Sequence, residues 1–256
     1  YGRFVEKTFG PNNRITPAVS MADGVDYIVL PNWKIFMIQF LNIAGLGPIF
    51  GAIMGAQFGT ASYLWIVLGS IFAGAVHDFF SGALSIRNGG ESLPEIVGLY
   101  LGMTTKKVMT VFTMILMILV GAVFVSGPAE LIAGMTPDWM DAYFWIIVIF
   151  LYYVLATLMP VDKIIGKVYP LFAIALLFMA VGILVMLYVK NPDLPEMWNG
   201  FGTKYEANPI FPMMFISIAC GAISGFHATQ SPLMARCMKH EKHCRPIFYG
   251  AMVTEG

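Results

Sequence analysis

Long apolar segments alternate with short charged segments along the whole chain. Six of these apolar segments are long enough to span a bilayer, namely 33–57, 63–86, 108–125, 142–159, 171–189 and 210–234. As an α-helix, segment 171–189 would be about 29 Å long, which matches the hydrocarbon thickness. Strands of a membrane β-barrel would instead be about ten residues long and alternate in polarity. The pattern therefore predicts an all-α polytopic membrane protein with six transmembrane helices.

Composition supports a location in the bilayer. Only 12% of the residues are charged, whereas soluble domains contain about 25%. A chain with so little charge cannot cover its surface with polar groups, so much of that surface must face lipid. The net charge is zero and the chain has no basic block, which excludes nucleic acid as a partner.

Positive charges alternate between the predicted connecting segments. The segments on one side contain Arg3, Lys7, Arg14, Lys34, Arg87, Lys106, Lys107, Lys163, Lys167, Arg236, Lys239, Lys242 and Arg245, and those on the other contain Lys190 and Lys204. Because Lys and Arg accumulate in cytoplasmic loops, the first side is predicted to be cytoplasmic, together with the N-terminal segment 1–32 and both ends of the chain. No signal peptide is visible. The chain begins with Tyr and stops where apolar residues have just resumed, so we expect it to be a fragment of a longer protein.

The first predicted span contains a helix-breaking pattern. Gly47, Gly51, Gly55 and Gly59 recur every fourth residue, next to Pro48. Proline removes a backbone donor, so the helix is expected to break near Gly47. The alternative interpretation is that these glycines form a face for tight helix packing.

The sixth predicted span is interrupted in a similar way. Gly221 and Gly225 precede a polar stretch and Pro232, at a depth where free backbone is tolerated only against protein or a water-filled cavity. Interrupted spans one and six are typical of an inverted five-helix repeat with its binding site at the midplane. We therefore expect 33–189 to form the first repeat and 190–256 to begin the second, as part of a LeuT-like transporter.

Four motifs resemble the carbon starvation protein A family of bacteria. They are Gly24-Val-Asp-Tyr, the stretch from Ala44 to Gly59, Ala73-Gly-Ala-Val-His-Asp-Phe, and Cys220-Gly-Ala-Ile-Ser-Gly-Phe-His-Ala. The resemblance covers the whole chain. It implies a secondary transporter of the amino acid, polyamine and organocation superfamily that imports peptides or pyruvate across the inner membrane during carbon starvation, with protons and without a cofactor. It also implies further helices before residue 1 and after residue 256.

Two ionisable residues lie inside the second predicted span. Charged groups within a bilayer cost about 2.5 to 3.5 kcal/mol on insertion scales, so His77 and Asp78 are candidates for proton coupling. Neighbours on a helix point about 100° apart and need not touch. The alternative for Asp78 is a structural pair or cap near the cytoplasmic end, because Arg87 follows about 14 Å further along the helix.

The two interruptions supply candidate substrate-binding residues. His227 follows the second interruption and is predicted both to bind a substrate carboxylate and to couple binding to protons. Ser224 lies close by, and free backbone amides at Gly47, Gly51 and Gly225 are candidates for holding an anionic group. Gln57 is added as a weaker candidate contact. Asn42 is interpreted as structural, and the role of Glu255 is left open.

A cluster of metal-ligand residue types follows the sixth span. It consists of Cys237, His240, His243 and Cys244. Their spacing fits no familiar zinc pattern, and the neighbouring Lys and Arg residues repel a cation. We therefore predict a solvated cytoplasmic loop without a metal. No disulfide is expected, because this side of the membrane is reducing.

Two other classes compete with a transporter. An intramembrane enzyme would require a nucleophile with a base or a metal set, and the sequence contains no His-Glu-x-x-His run. A channel would require a repeated filter sequence or rings of residues from an oligomer. The sequence does not decide the oligomeric state, the choice between peptide and pyruvate, or the choice between protons and sodium.

Overall fold

The computed structural model of this chain is helical. It describes residues 1–157, 161–192, 210–219 and 227–256. Every regular element in these ranges is a helix, and the strand-like pairing within them is a single antiparallel bridge between Ile15 and His240. The prediction of an all-α protein is therefore confirmed for the described part of the chain.

The helices vary from single turns to rods of 31 residues. In the described ranges the α-helices are α1 (Gly2–Phe9), α2 (Pro17–Ser20), α3 (Asn32–Ile43), α4 (Leu46–Gly55), α5 (Ala61–Gly69), α6 (Ala75–Arg87), α7 (Leu93–Leu101), α8 (Met103–Ala133), α9 (Ala142–Thr157), α10 (Val161–Lys190), α11 (Phe215–Ser217), α12 (His227–Ala235) and α13 (Gly250–Glu255). One-turn 3₁₀-helices cover Ala56–Phe58 and Glu241–His243, and π-helical turns cover Ser70–Gly74, Ile210–Met214 and Arg245–Tyr249.

Three described helical segments are long and apolar enough to cross a membrane. They are Ala61–Arg87, which joins α5 to α6 through a π-helical turn, Met103–Ala133, and Leu171–Lys190 within α10. The bent pair formed by Asn32–Ile43 and Gly47–Phe58 would make a fourth span. α9 is a shorter apolar helix. These elements coincide with predicted spans one to five.

The first predicted span is broken, as the glycines and Pro48 indicated. Its two helical halves are bent by 54°. The break lies at Ala44 and Gly45, between α3 and α4, which is slightly earlier than Gly47. For the sixth span, the structure describes α11 before the predicted interruption and α12 after it. The interruption at Gly221 and Gly225 lies outside the described residues.

The glycines of α4 pack against the start of the sixth predicted span. A Cβ atom at Gly51 would lie 3.2 Å from the carbonyl oxygen of Ser217, and one at Gly55 would lie 2.7 Å from Cγ2 of Ile218. These glycines therefore permit a close approach of two segments, as the packing interpretation proposed. The contact also places the second half of broken span one beside the segment that begins span six.

α3, α6, α12 and α13 surround the main hydrophobic core. Ile35, Phe79, Phe248 and Met252 are fully buried there. Burial of each such side chain contributes about 1.5 to 3 kcal/mol. By contrast, α8 and α9 carry mainly exposed apolar side chains, as expected of helices that face lipid.

Gly82 allows α6 to approach the ring of Phe248. A Cβ atom at this position would overlap ring carbons of Phe248, so we expect Gly82→Ala to lower stability by about 1 to 3 kcal/mol through overpacking. The matched control is Gly121→Ala in α8, since no side chain or neighbouring segment of the described residues lies within 4 Å of the Cβ position there. Thermal unfolding of both variants in detergent measures the difference. Equal unfolding temperatures would contradict this packing.

Segments that the charge pattern assigns to one side of the membrane lie together at one end of the core. The Tyr27 hydroxyl donates to the Gly89 carbonyl at 3.0 Å, and Arg236 Nε donates to the Gly90 carbonyl at 2.8 Å. We call this end, formed by residues 1–31, 87–91 and 236–249, the polar end.

A fully buried carboxylate holds the polar end together. Glu241 accepts a hydrogen bond from Arg87 Nε at 2.5 Å and another from the backbone N–H of Asn12 at 2.9 Å. Arg14 Nε lies 3.2 Å from the same carboxylate, and the Arg87 guanidinium stacks over the Phe9 ring at 3.7 Å. Three segments that are distant in the sequence therefore meet at one buried charge.

Candidate functional site

The helix of the second predicted span changes its winding directly before its acidic residue. A π-helical turn, Ser70–Gly74, separates α5 from α6. Such turns are frequent at functional sites, because the additional residue redirects the side chains that follow. Asp78 lies in the first turn of α6 and is fully buried. Its carboxylate therefore lies inside the core instead of facing lipid.

His77 contacts Asp78 although the two residues are neighbours on a helix. Its Nδ1 atom lies 3.0 Å from Asp78 Oδ1. The His77 side chain is 34% exposed, whereas that of Asp78 is inaccessible. His77 thus connects a buried carboxylate with a more accessible position.

His227 brings the sixth predicted span to the same carboxylate. It is the first residue of α12, it is fully buried, and its Nδ1 atom lies 3.2 Å from Asp78 Oδ2. α6 and α12 run in the same direction, because Asp78 meets His227 near the starts of the two helices and Arg236 bonds to Gly90 just after their ends. The structure therefore brings together two of the residues that the sequence singled out in different spans.

A second carboxylate lies on the other side of this imidazole. Glu255 at the end of α13 places Oε2 4.0 Å from His227 Nε2, and its side chain is 1% exposed. Asp78, His227 and Glu255, hereafter the buried cluster, thus come from three helices, with the imidazole between two carboxylates.

Several polar atoms of the buried cluster have no hydrogen-bond partner among the residues that the structure describes. They are Asp78 Oδ2, both ring nitrogens of His227 and both carboxylate oxygens of Glu255. Asp78 and His227 are close enough for an ion pair, but they are not aligned for a hydrogen bond. Because an unsatisfied buried polar group costs about 1 to 3 kcal/mol, such a concentration is typical of a site that takes a proton, water or a polar ligand.

Uncharged polar side chains extend this site along α12 and α3. Gln39 Nε2 donates to Ser231 Oγ at 3.1 Å. Gln230 is also buried, and neither its Nε2 nor Oε1 of Gln39 has a hydrogen-bond partner in the described ranges. Both Gln230 and Ser231 lie one turn beyond His227. The interior between α3, α6, α12 and α13 is therefore polar near the buried cluster and apolar elsewhere.

All three members of the buried cluster are nine or ten residues from an arginine of the polar end. Asp78 precedes Arg87 by nine residues, His227 precedes Arg236 by nine, and Glu255 follows Arg245 by ten. Along the α-helix α6, the nine residues from Asp78 to Arg87 rise about 14 Å, which is about half the hydrocarbon thickness. The cluster therefore lies in the core, at a distance from the charged residues of the polar end.

The other candidate residues that the structure describes belong to α4 and to the turn that follows it. Gly47 is half-buried within α4. Gly51 belongs to the same helix and packs against Ser217 of α11. Gln57 is half-buried in the 3₁₀ turn that follows. Ser224 and Gly225 lie outside the described residues. Substrate binding by these five residues stays a prediction.

Sequence reasoning left one member of the cluster open and did not select Gln39. Glu255 follows an apolar stretch and lies ten residues from Arg245. Asp78 lies nine residues from Arg87, so the two spacings are equal to within one residue. This equal spacing was the available signal. Gln39 gave no comparable signal, because a single glutamine in an apolar helix usually serves packing through a hydrogen bond.

The cysteine and histidine cluster after α12 lies at the polar end. The ring centres of His240 and His243 are 6.0 Å apart, Cys237 is half-buried and Cys244 is fully buried. Within the part of the chain that the structure describes, no three His, Cys, Asp or Glu side chains are grouped so that they could hold a metal ion.

Burial should suppress the reactivity of the two cysteines at the polar end. It raises the pKa of Cys237 to about 11 and also raises the pKa of Cys244. The thiolate is the nucleophile, so a higher pKa lowers the rate at which Cys237 reacts at pH 7. In a Cys220→Ser background, we expect maleimide to label Cys237 about 100-fold more slowly than the exposed thiol that Asp138→Cys introduces. Labelling of Cys237 should accelerate as the pH rises towards 11. Equal rates at pH 7, measured by mass spectrometry, would contradict its burial.

Comparisons with known proteins cover the whole chain. The model of the carbon starvation protein CstA family matches residues 1–137 and 129–256. An uncharacterized membrane protein of Haemophilus influenzae is 44% identical over 308 aligned positions, which cover 100% of this chain and 83% of that protein. Since the chain has only 256 residues, that relative has additional residues within the aligned region.

Two relatives with functional names are more distant. The peptide transporter CstA of Campylobacter jejuni is 30% identical, over 95% of this chain and 44% of that protein. The pyruvate/proton symporter BtsT of Escherichia coli is 28% identical, over 94% of this chain and 43% of that protein. The chain therefore spans less than half the length of either transporter. No solved structure matches it.

Proposed function

Because this chain belongs to the carbon starvation protein CstA family, we propose that it is part of a secondary active transporter that imports a peptide or pyruvate together with protons. The relatives with functional names are transporters and not enzymes. The structural observation that carries the proposal is the buried cluster of Asp78, His227 and Glu255, because ionisable groups inside a membrane typically mark transport pathways and proton relays.

The cluster suits a solute that carries a carboxylate. Pyruvate and the C-terminus of a peptide both present one. A protonated His227 can donate a charge-assisted hydrogen bond to such a group, and the neutral imidazole can return the proton when the solute leaves. His77, which is partly accessible and contacts Asp78, offers the proton a route to the buried carboxylate.

The proposed architecture is the six-span, inverted five-helix repeat expected from the sequence. Its support is the bent first span and the contact of α4 with residues 217 and 218 at the start of the sixth, since transporters of this class bind substrate between two interrupted helices. On this proposal the protein lies in the inner membrane of a bacterium, with the N-terminal segment and the polar end facing the cytoplasm. The last described helix, α13, runs from the polar end into the core, so Glu255 lies in the interior and not on the cytoplasmic side that the charge pattern predicted for the end of the chain.

Alternating access requires that the site be closed on one side at a time. At the polar end, ion pairs and a hydrogen bond of Glu241 connect α6, the N-terminal segment and the loop after α12. We assign this arrangement to a state that is closed towards the cytoplasm. Opening towards the cytoplasm would then require the pairs of Arg14 and Arg87 with Glu241 to separate.

Uptake by the full chain in proteoliposomes tests the proposed function. With an imposed pH gradient, acid outside, we expect labelled pyruvate or a labelled dipeptide to accumulate saturably, and we expect the accumulation to stop when an ionophore removes the gradient. Competition between the two solutes identifies the preferred one. Flux that rises linearly with concentration and is insensitive to the gradient would indicate a channel and would reject the proposal.

A further inference from the structure

We propose that Glu255 is a proton-binding residue of the transport site and that it shares protons with Asp78 across the imidazole of His227. The inference rests on the proposed transport function and assigns a chemical role to a residue that the sequence left open. The proton comes from water on one side of the membrane and returns to water on the other, so only O–H and N–H bonds form and break.

The geometry distinguishes Glu255 from a structural carboxylate. Both of its oxygens are buried and lack a hydrogen-bond partner within the described part of the chain, and Oε2 lies 4.0 Å from Nε2 of His227. A buried carboxylate with a structural role is typically paired, as Glu241 is with two arginines and a backbone N–H. Glu241 therefore has its hydrogen-bonding capacity filled by protein groups, whereas the oxygens of Glu255 can still accept hydrogen bonds or a proton.

The charges around the cluster favour the gain of a proton. The charged or titratable groups that face it are Asp78 and His77 from α6, His227 from α12 and Glu255 itself, while α3 contributes the neutral Gln39. Among the described residues, the cluster makes no ion pair with an arginine or a lysine. With His227 protonated and both carboxylates ionised, the net charge is one negative unit in a low-dielectric interior.

One further proton neutralises the cluster, and the two carboxylates compete for it. Like-charged carboxylates near one another cannot both remain ionised at low cost, so one of them takes up the proton first. Pyruvate, which has one carboxylate and no cationic group, adds one negative charge to the site, and a dipeptide adds the same charge where its carboxylate binds while its ammonium group lies at the other end of the molecule. Entry of the solute with one proton therefore leaves the charge of the site unchanged, which supplies a physical reason for coupled movement.

The test separates proton coupling from solute binding in the full chain. Counterflow exchanges labelled for unlabelled solute and needs no net proton transfer, whereas accumulation against a gradient needs it. For Glu255→Gln, which keeps the shape of the side chain, we expect accumulation of labelled pyruvate and of labelled alanyl-alanine to fall at least about tenfold. Counterflow of whichever solute the wild-type chain transports should stay within about twofold of the wild-type rate.

A control and a rescue keep the test decisive. Glu91→Gln removes an exposed carboxylate at the polar end and should leave both rates unchanged. Glu255→Asp should restore part of the accumulation and its pH dependence, because a carboxylate is again present. Unchanged accumulation in Glu255→Gln, or loss of counterflow together with accumulation in a folded variant, would overturn the assignment. Absence of counterflow in the wild type would instead reject the transport proposal itself.

Discussion

Replacement of Asp78 by Asn should reduce gradient-driven solute uptake at least about 100-fold. Asp78 contacts His77 at 3.0 Å and His227 at 3.2 Å, so its carboxylate is the group that both imidazoles share. A side chain that is positioned to transfer a proton typically accelerates that step by about 100- to 10,000-fold, so its loss should slow coupled uptake by at least about 100-fold. Asn preserves the shape of the side chain and removes its charge.

Initial uptake rates in proteoliposomes measure this effect, with the amount of folded protein determined by size-exclusion chromatography. Asp138→Asn is the matched control, because it removes an exposed carboxylate from the loop between α8 and α9. The control should transport at the wild-type rate. Wild-type uptake by folded Asp78→Asn would remove the buried cluster from the mechanism.

The second large effect is expected at the polar end. Glu241→Ala leaves Arg87 and Arg14 without their buried partner and leaves the N–H of Asn12 without its acceptor. Removing one partner of a buried pair is expected to cost about 3 to 5 kcal/mol, so the variant should unfold at a markedly lower temperature in detergent. Tryptophan fluorescence during a thermal ramp measures the change.

A more exposed ion pair of the same end supplies the control. Arg245 Nε lies 2.7 Å from Glu6 Oε2, and the two side chains are 39% and 27% exposed. Partly exposed pairs contribute about 0 to 1 kcal/mol, so Glu6→Ala should change the unfolding temperature only slightly. Equal losses in Glu6→Ala and Glu241→Ala would mean that the burial of Glu241 does not matter for stability.

Much of the helical layout could be predicted from the sequence because membrane spans leave a strong local signal. Continuous apolar segments predicted the helices at 61–87, 103–133 and 171–190, and Pro48 with its neighbouring glycines predicted the bend between α3 and α4. The π-helical turn Ser70–Gly74 escaped prediction, since its residues are as apolar as those of a regular helix. The packing of Gly55 on Ile218 also escaped, because it joins segments that are far apart in the sequence.

The candidate site was predictable in part for the same reason. An ionisable residue inside an apolar helix is visible in the sequence, so Asp78 and His227 could be selected individually. Their contact, and the approach of Glu255 to the same imidazole, depend on how α6, α12 and α13 pack together. One sequence without tertiary contacts does not contain that information. The common spacing from an arginine is the local signal that links the three residues.

Movement of protons with the solute tests the central claim most directly. Addition of pyruvate or alanyl-alanine to proteoliposomes that contain the full chain, in a weakly buffered medium, should raise the external pH as protons enter with the solute. The same addition to Asp78→Asn proteoliposomes should leave the external pH constant. Solute that accumulates in wild-type proteoliposomes without any change in external pH would contradict the account.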